Sequence, residues 1–457
     1  TQEGARLERP GPLRQETTRL HSAFAPGVRR SPLLPMTRRA LIGVALLAAS
    51  GAGAMPDGGV SQSCTPAPAA SVQPELARLE SALRQAPGDP LLLFEQAIAH
   101  GLLCDRERTL DRLSAVARTW GGLDPGTFRG FRFLWGDPVF EELVRDIRAR
   151  NPPVLSSQPA YVLAQPGLFP EGMAFDGRTG RVYAGSTQRI VWTDRSGTLH
   201  DLVPRGAGGL GFVAGVKVDA ARERLCVASA ASFGPGRDLP GTVTGILCFA
   251  LDDGRHLRTL RLPEGRQGFL NDLTIDPRSG TLYTSNTSTG AVMRATLRDT
   301  VLRELLPDGA VPGANGIVLD STGRLLFVAG DEGITRVELR TGKAARLRRT
   351  GPIVDGSIDG LYFWHGALVA IQNGVHPGRV VRFQLDPELK TLERSEILEA
   401  YAPWIESPTT GAIDGDSLLY LANTQLRRSY GTPPPGSGEL VPVQVRRILL
   451  HADRPAR

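Results

Sequence analysis

From Glu171 onward the chain alternates short apolar runs with turn-forming clusters, and the alternation has a period. Six segments open on a polar or small residue and run straight into an apolar strand: Glu171-Gly172-Met173-Ala174-Phe175, Ala214-Gly215-Val216-Lys217-Val218, Asn271-Asp272-Leu273-Thr274-Ile275, Asn315-Gly316-Ile317-Val318-Leu319, Asp359-Gly360-Leu361-Tyr362-Phe363 and Thr410-Gly411-Ala412-Ile413-Asp414. The intervals between openers are 43, 57, 44, 44 and 51 residues. Within a unit, a turn such as Asp320-Ser321-Thr322-Gly323 leads into a second strand, Arg324-Leu325-Leu326-Phe327-Val328. Short strands at about 40–50 residues per unit are the rhythm of four-stranded propeller blades. The pattern therefore predicts a mainly β fold, a six-bladed β-propeller over residues 157–451, in which each blade buries both faces against its neighbours. Residues 157–165 are expected to add an outer strand to the last blade and close the ring.

A different period precedes the repeat. Leu76, Leu79 and Leu83 share one helical face, Pro74 suits a first helical turn, and Asp89-Pro90 places a cap and an N1 proline before the next apolar run. Further helices are expected across residues 110–120 and 138–148. This small N-terminal α-helical segment, residues 73–152, is similar to tetratricopeptide-type hairpins, with too few units for a free-standing array. Two readings stay open for it: a cap packed on the propeller, or a surface for a protein partner.

Composition changes the picture mostly at the N-terminus. Residues 55–72 are rich in Pro, Ala, Ser and Gly and read as a flexible linker. Met36-Thr37-Arg38-Arg39 followed by the apolar run over residues 40–49 reads as a secretory signal ending near Ala52-Gly53-Ala54, so residues 36–54 are the signal and residues 1–35 an upstream extension. Arg38-Arg39 also resembles a twin-arginine signal. Either route predicts a periplasmic or secreted protein with no transmembrane anchor in the mature chain. The net charge is +6, but residues 1–54 hold eight Arg against three Glu, which leaves about +1 for the rest and sets nucleic acid aside as a partner. Four cysteines remain after export. Cys226 and Cys248 fall on strands expected to be adjacent, as a cross-strand disulfide or as buried thiols.

The candidate chemistry sits on the openers. In a propeller the innermost strands all start at the same mouth of the central channel, so Glu171, Ala214, Asn271, Asn315, Asp359 and Thr410 should form a ring. Two carboxylates and two side-chain amides converge there. Oxygen-only donors favour one hard divalent cation, Ca²⁺ first and Mg²⁺ or Mn²⁺ behind it. Without it, two carboxylates roughly 4 Å apart would repel by about 4 kcal/mol at an effective dielectric near 20. Singly, Asn315-Gly316 and Asp359-Gly360 also read as turn pairs.

The stretches Pro170-Glu171-Gly172, Asn271-Asp272-Leu273-Thr274-Ile275-Asp276-Pro277, Asn315-Gly316 and Asp359-Gly360-Leu361 give the propeller part of the chain a resemblance to the regucalcin/gluconolactonase family of six-bladed propellers. The resemblance implies that Glu171, Asn271, Asn315 and Asp359 hold one divalent metal and that Asp359 doubles as the catalytic base in hydrolysis of a small-molecule lactone or ester. Loops joining the second and third strands of each blade return to the same mouth and would form the substrate wall, with Arg237, Phe269 and His376 as candidate substrate contacts. Sugar-lactone members of the family carry an arginine two residues before the Asn ligand; Phe269 stands there in this chain, which favours a more apolar lactone or ester. The competing expectations are a non-catalytic propeller that the metal stabilises while it binds a ligand or protein partner, and an enzyme similar to strictosidine synthases. No Gly-x-Ser-x-Gly elbow is present, against a serine hydrolase.

Overall fold

The computed structural model describes residues 64–119, 121–231, 240–429 and 438–451. The expected signal and upstream extension, and residues 55–63 of the expected linker, lie outside them.

Six small sheets form a six-bladed β-propeller. Their inner strands are Met173–Asp176, Phe212–Asp219, Leu270–Ile275, Ile317–Leu319, Ile358–Trp364 and Gly411–Asp414, so every predicted opener lies within two residues of the start of one. Five blades have four strands, and blade five gains the two-residue parallel strand Arg348–Arg349 at its outer edge. Blade six is composite, as expected. Its outermost strand is Gln158–Leu163, which pairs antiparallel with Val443–Leu449 through Tyr161↔Val445 and Leu163↔Val443. The cores lie between blades: Tyr183, Val227, Leu247 and Phe249 fill the space between blades one and two, and Phe327, Leu361 and Phe383 that between four and five.

Cys226 and Cys248 face each other on paired strands of blade two and are bridged, which settles the choice left open by the sequence. Cys64 is bridged to Cys104, pinning the start of the described chain to the helical segment.

That segment comprises α1 (Ala69–Gln85), α2 (Pro90–Leu102), α3 (Arg106–Arg118) and α4 (Pro138–Arg150). Helix α1 starts inside the stretch read as linker, and Pro74 stands in its second turn rather than its first. Composition misleads here because Val72, Leu76 and Leu79 pack on Leu92 and Ala99, and tertiary burial sustains a helix that local propensity does not. Asp89 caps α2 as expected, accepting from Leu91 N (3.0 Å) and Leu92 N (3.1 Å), with Pro90 at N1.

The helices are packed on the propeller. Phe94, Phe128, Phe131 and Phe140 share one buried cluster with Val354 and Val375, from the loops flanking the first two strands of blade five. Charged contacts frame it: Arg349 to Asp89 (2.5 Å) and Arg78 to Glu332 (3.2 Å), the latter on the blade-four loop.

Candidate functional site

Glu171, Asn271 and Asp359 are buried at 6%, 6% and 5% exposure, deeper than surface turn residues would be. The glycines that follow the openers explain how the inner strands come so close. A Cβ on Gly172 would sit 2.0 Å from Ala214 O, and one on Gly316 would sit 2.5 Å from Asp359 O, so in blades one and four the residue after the opener lies against the next blade's backbone. None of Asn315, Gly316, Asp359 and Gly360 has a positive φ. Asn315-Gly316 and Asp359-Gly360 are therefore not left-handed turn pairs; glycine is required here by close approach around the channel.

The four predicted ligands belong to one electrostatic and hydrogen-bonded cluster. Burial raises the Glu171 carboxyl well above its ordinary range, and Asp359 and then Asp272 push it further. Burial likewise lifts Asp359 to about 7; the Asn315 amide pulls the other way, and Asp272 adds to the rise. Asn271 Nδ2 donates to Thr287 Oγ1 (3.0 Å), which in turn donates to Ala314 O (2.5 Å), the residue before Asn315.

Three oxygens of this cluster, Glu171 Oε2, Asn315 Oδ1 and Asp359 Oδ1, are buried without a hydrogen-bond partner. Buried polar atoms are nearly always paired, and an orphan asks for a ligand. Three such oxygens from three blades suit a hard cation that takes carboxylate and amide oxygens. Among the described residues no group of three His, Cys, Asp or Glu side chains is arranged to hold a metal ion by itself.

The wall beside the ring is apolar. Phe212, Ala214 and Ala230 are buried with Phe269 and Leu426 against them, and the Phe212 and Phe269 rings lie 6.4 Å apart. Ala214 is the blade-two opener, so this wall adjoins the cluster directly. Two further residues reach the cluster that sequence reasoning did not select. Asn373, from the loop after the second strand of blade five, donates Nδ2 to Asp359 Oδ2. Arg427, from the short helix Leu426–Ser429 of blade six, donates Nη2 to Asn373 O (2.9 Å); burial lowers its pKa to about 10 while the Asp359 charge raises it. The signal for both was only that their loops return to the ring's mouth.

His376 does not share this wall. His376 is 4% exposed and stands edge-on to Phe128 of the helical segment, with ring centroids 4.9 Å apart, and burial drops its pKa to about 3. It belongs to the packing under the helices rather than to an open wall. Arg237 lies outside the described residues.

No family model and no curated protein matches the chain. Among solved structures it is similar to a nidogen/laminin complex (16% identity over 53% of this chain and 84% of that one, TM-score 0.42). It is also similar to the major Malassezia sympodialis allergen Mala s 1 (14%, 62% and 95%, TM-score 0.48) and to a luciferin-regenerating enzyme (16%, 65% and 95%, TM-score 0.44). Likeness at this level carries no argument about activity, and the propeller assignment rests on the six sheets themselves.

Proposed function

We propose that the chain is a metal-dependent hydrolase resembling gluconolactonases, which opens a small lactone or cyclic ester at the mouth of the propeller channel. Glu171, Asn271, Asn315 and Asp359 would hold one divalent cation, Ca²⁺ first and Mg²⁺ or Mn²⁺ behind it. The observation that carries this reading is the trio of orphaned, buried oxygens on Glu171, Asn315 and Asp359.

A cation bound there would polarise the ester carbonyl and stabilise the negative charge that develops on its oxygen. The rest of the chemistry falls to the chain. Asp359, whose Oδ2 is engaged by Asn373, is the carboxylate that would accept a proton from the attacking water. Burial lifts its pKa to about 7 without a cation, and a bound cation would pull it back down, keeping the carboxylate ionised to act as base. Phe212, Phe269 and Leu426 offer an apolar face beside it, suited to a lactone with a hydrocarbon substituent and to excluding water.

Export to an oxidising compartment is part of the proposal, supported by two disulfides in the described residues. No helix among those residues is long and apolar enough to cross a membrane.

The test is hydrolysis of sugar, aliphatic and aromatic lactones by the purified chain, with and without Ca²⁺, Mg²⁺ or Mn²⁺, beside Asp359→Ala. Metal-dependent turnover that the substitution abolishes is the expected result. No turnover with any of the three ions would overturn the hydrolase and favour a metal-stabilised, non-catalytic binding propeller.

A further inference from the structure

The loop that carries Asn373 is gripped from the far side by the helical segment. Asp124 N donates to His376 O at 2.7 Å. The His376 ring packs edge-on to Phe128, and Val375 is buried in the same cluster as Phe94 and Phe131. At the loop's ends, Arg379 Nη1 donates to Gly121 O (2.9 Å) and its Nε donates to Gln372 Oε1 (2.8 Å). Gln372, fully buried, completes the path by donating Nε2 to Val354 O (2.9 Å) and Gly356 O (2.8 Å), on the segment that leads into Asp359. Both the strand entry that bears Asp359 and the loop that bears Asn373 are thus fixed to residues 121–128.

Asn373 is the group at the inner end of this chain of contacts. By holding Asp359 Oδ2, its amide leaves Oδ1 as the oxygen turned to the cluster; without that donor, the broad, two-fold torsion of a carboxylate gives no preference between the two oxygens.

We infer that Asn373 is a positioning residue that aims Asp359 Oδ1 at the cation, and that the helical segment serves the site by clamping the loop from which Asn373 projects. The inference rests on the metal reading proposed above. It assigns the helices a role in the site in place of a partner-binding surface.

Partners that orient a metal ligand are typically worth 10–100-fold in metal affinity. The experiment is Ca²⁺ calorimetry on the full chain, with the metal-free thermal melt as the check of folding, for Asn373→Ala, His376→Ala and His376→Phe. Asn373 is only half-buried, so its truncation leaves the cores intact. Asn373→Ala is expected to weaken Ca²⁺ binding roughly tenfold, with a cooperative melt lowered by no more than the loss of one hydrogen bond to a buried carboxylate. His376→Ala, which empties the space beside Phe128, is expected to weaken it several-fold, and His376→Phe, which refills that space without an imidazole, to restore it. Undiminished affinity in Asn373→Ala, or equal losses in His376→Ala and His376→Phe, overturns the inference while leaving the metal reading in place. Absence of Ca²⁺ binding by the parent chain overturns the metal reading and this inference with it, so the two failures are distinguishable.

Discussion

Lys217 Nζ lies 3.7 Å from Asp272 Oδ1, beside the ring and within the same charged cluster. Asp272 is buried, its carboxyl raised by that burial and held down chiefly by Lys217, and its charge acts on Glu171, Asp359 and Tyr362. Lys217 from blade two therefore offsets Asp272, and Arg427 acts on Asp359, so two cations face three carboxylates. Removing one partner of a buried pair strands the other charge. Lys217→Met is expected to destabilise the fold by roughly 2–3 kcal/mol in urea unfolding, and adding Asp272→Asn to recover most of it. A cycle with no coupling between the two positions would remove Lys217 from this role.

Asp359→Asn removes a buried charge that repels Glu171. The metal-free variant should melt higher than the parent, because the fold no longer holds two like charges together. The rise in melting temperature that saturating Ca²⁺ gives the parent should disappear, since ligand stabilisation requires the bound state. Calorimetric scans of both chains with and without Ca²⁺ check this, and a variant that keeps the full Ca²⁺ increment would rule Asp359 out as a ligand.

Phe269 governs the polarity of the wall. Phe269→Arg places a cation beside the cluster, while removing an aromatic face that packs with Phe212 and Leu426. Loss of such a contact is worth about 1–3 kcal/mol, so kcat/KM for aromatic lactones should fall at least about fivefold relative to hydroxylated ones. The ratio of the two specificity constants is the measurement; an unchanged ratio would place the substrate elsewhere along the mouth.

Glu95 makes the seam between helices and blade four sensitive to pH. Burial raises its carboxyl to about 8, with Asp331, Glu75 and Asp89 adding to the rise and Arg78, 3.3 Å away, opposing it. The folded chain thus keeps a proton that the unfolded chain releases above its ordinary pKa near 4.5. Stability from this group is complete below about 4.5 and declines as pH rises through about 8. Glu95→Gln should flatten that decline and melt higher than the parent on the alkaline side. Parallel melting curves across the range would show that Glu95 is ionised in the fold.

The propeller was legible in the sequence because its six openers recur in phase, each followed at once by an apolar strand. The same phase pointed to Glu171, Asn271, Asn315 and Asp359, since residues that open inner strands have no other place to go than the channel mouth. Asn373 and Arg427 were hidden for the opposite reason: they sit in loops, whose spatial neighbours are set by blade packing and carry no period. His376 shows the same limit, because its loop returns to the mouth as expected while its ring faces Phe128. Helix α1 was cut short in the reading because a stretch rich in Ala, Ser and Pro looks like linker until the helix it packs on is known.

The seam in blade six has a consequence for how the chain comes into being. Its outermost strand, Gln158–Leu163, finds its partner only in Val443–Leu449, and Ser157 and Arg446, hydrogen-bonded at that seam, are 289 residues apart. During synthesis the first strand of the ring must wait, unpaired, until residues 443–449 have been made. An arc of blades one to five lacks the neighbour that would cover its two end faces, and long-range pairing of this kind folds slowly and exposes sticky intermediates. Ring closure is therefore a late, all-or-none event, and loss of the final strand would leave blade six without the link that joins the beginning of the propeller to its end.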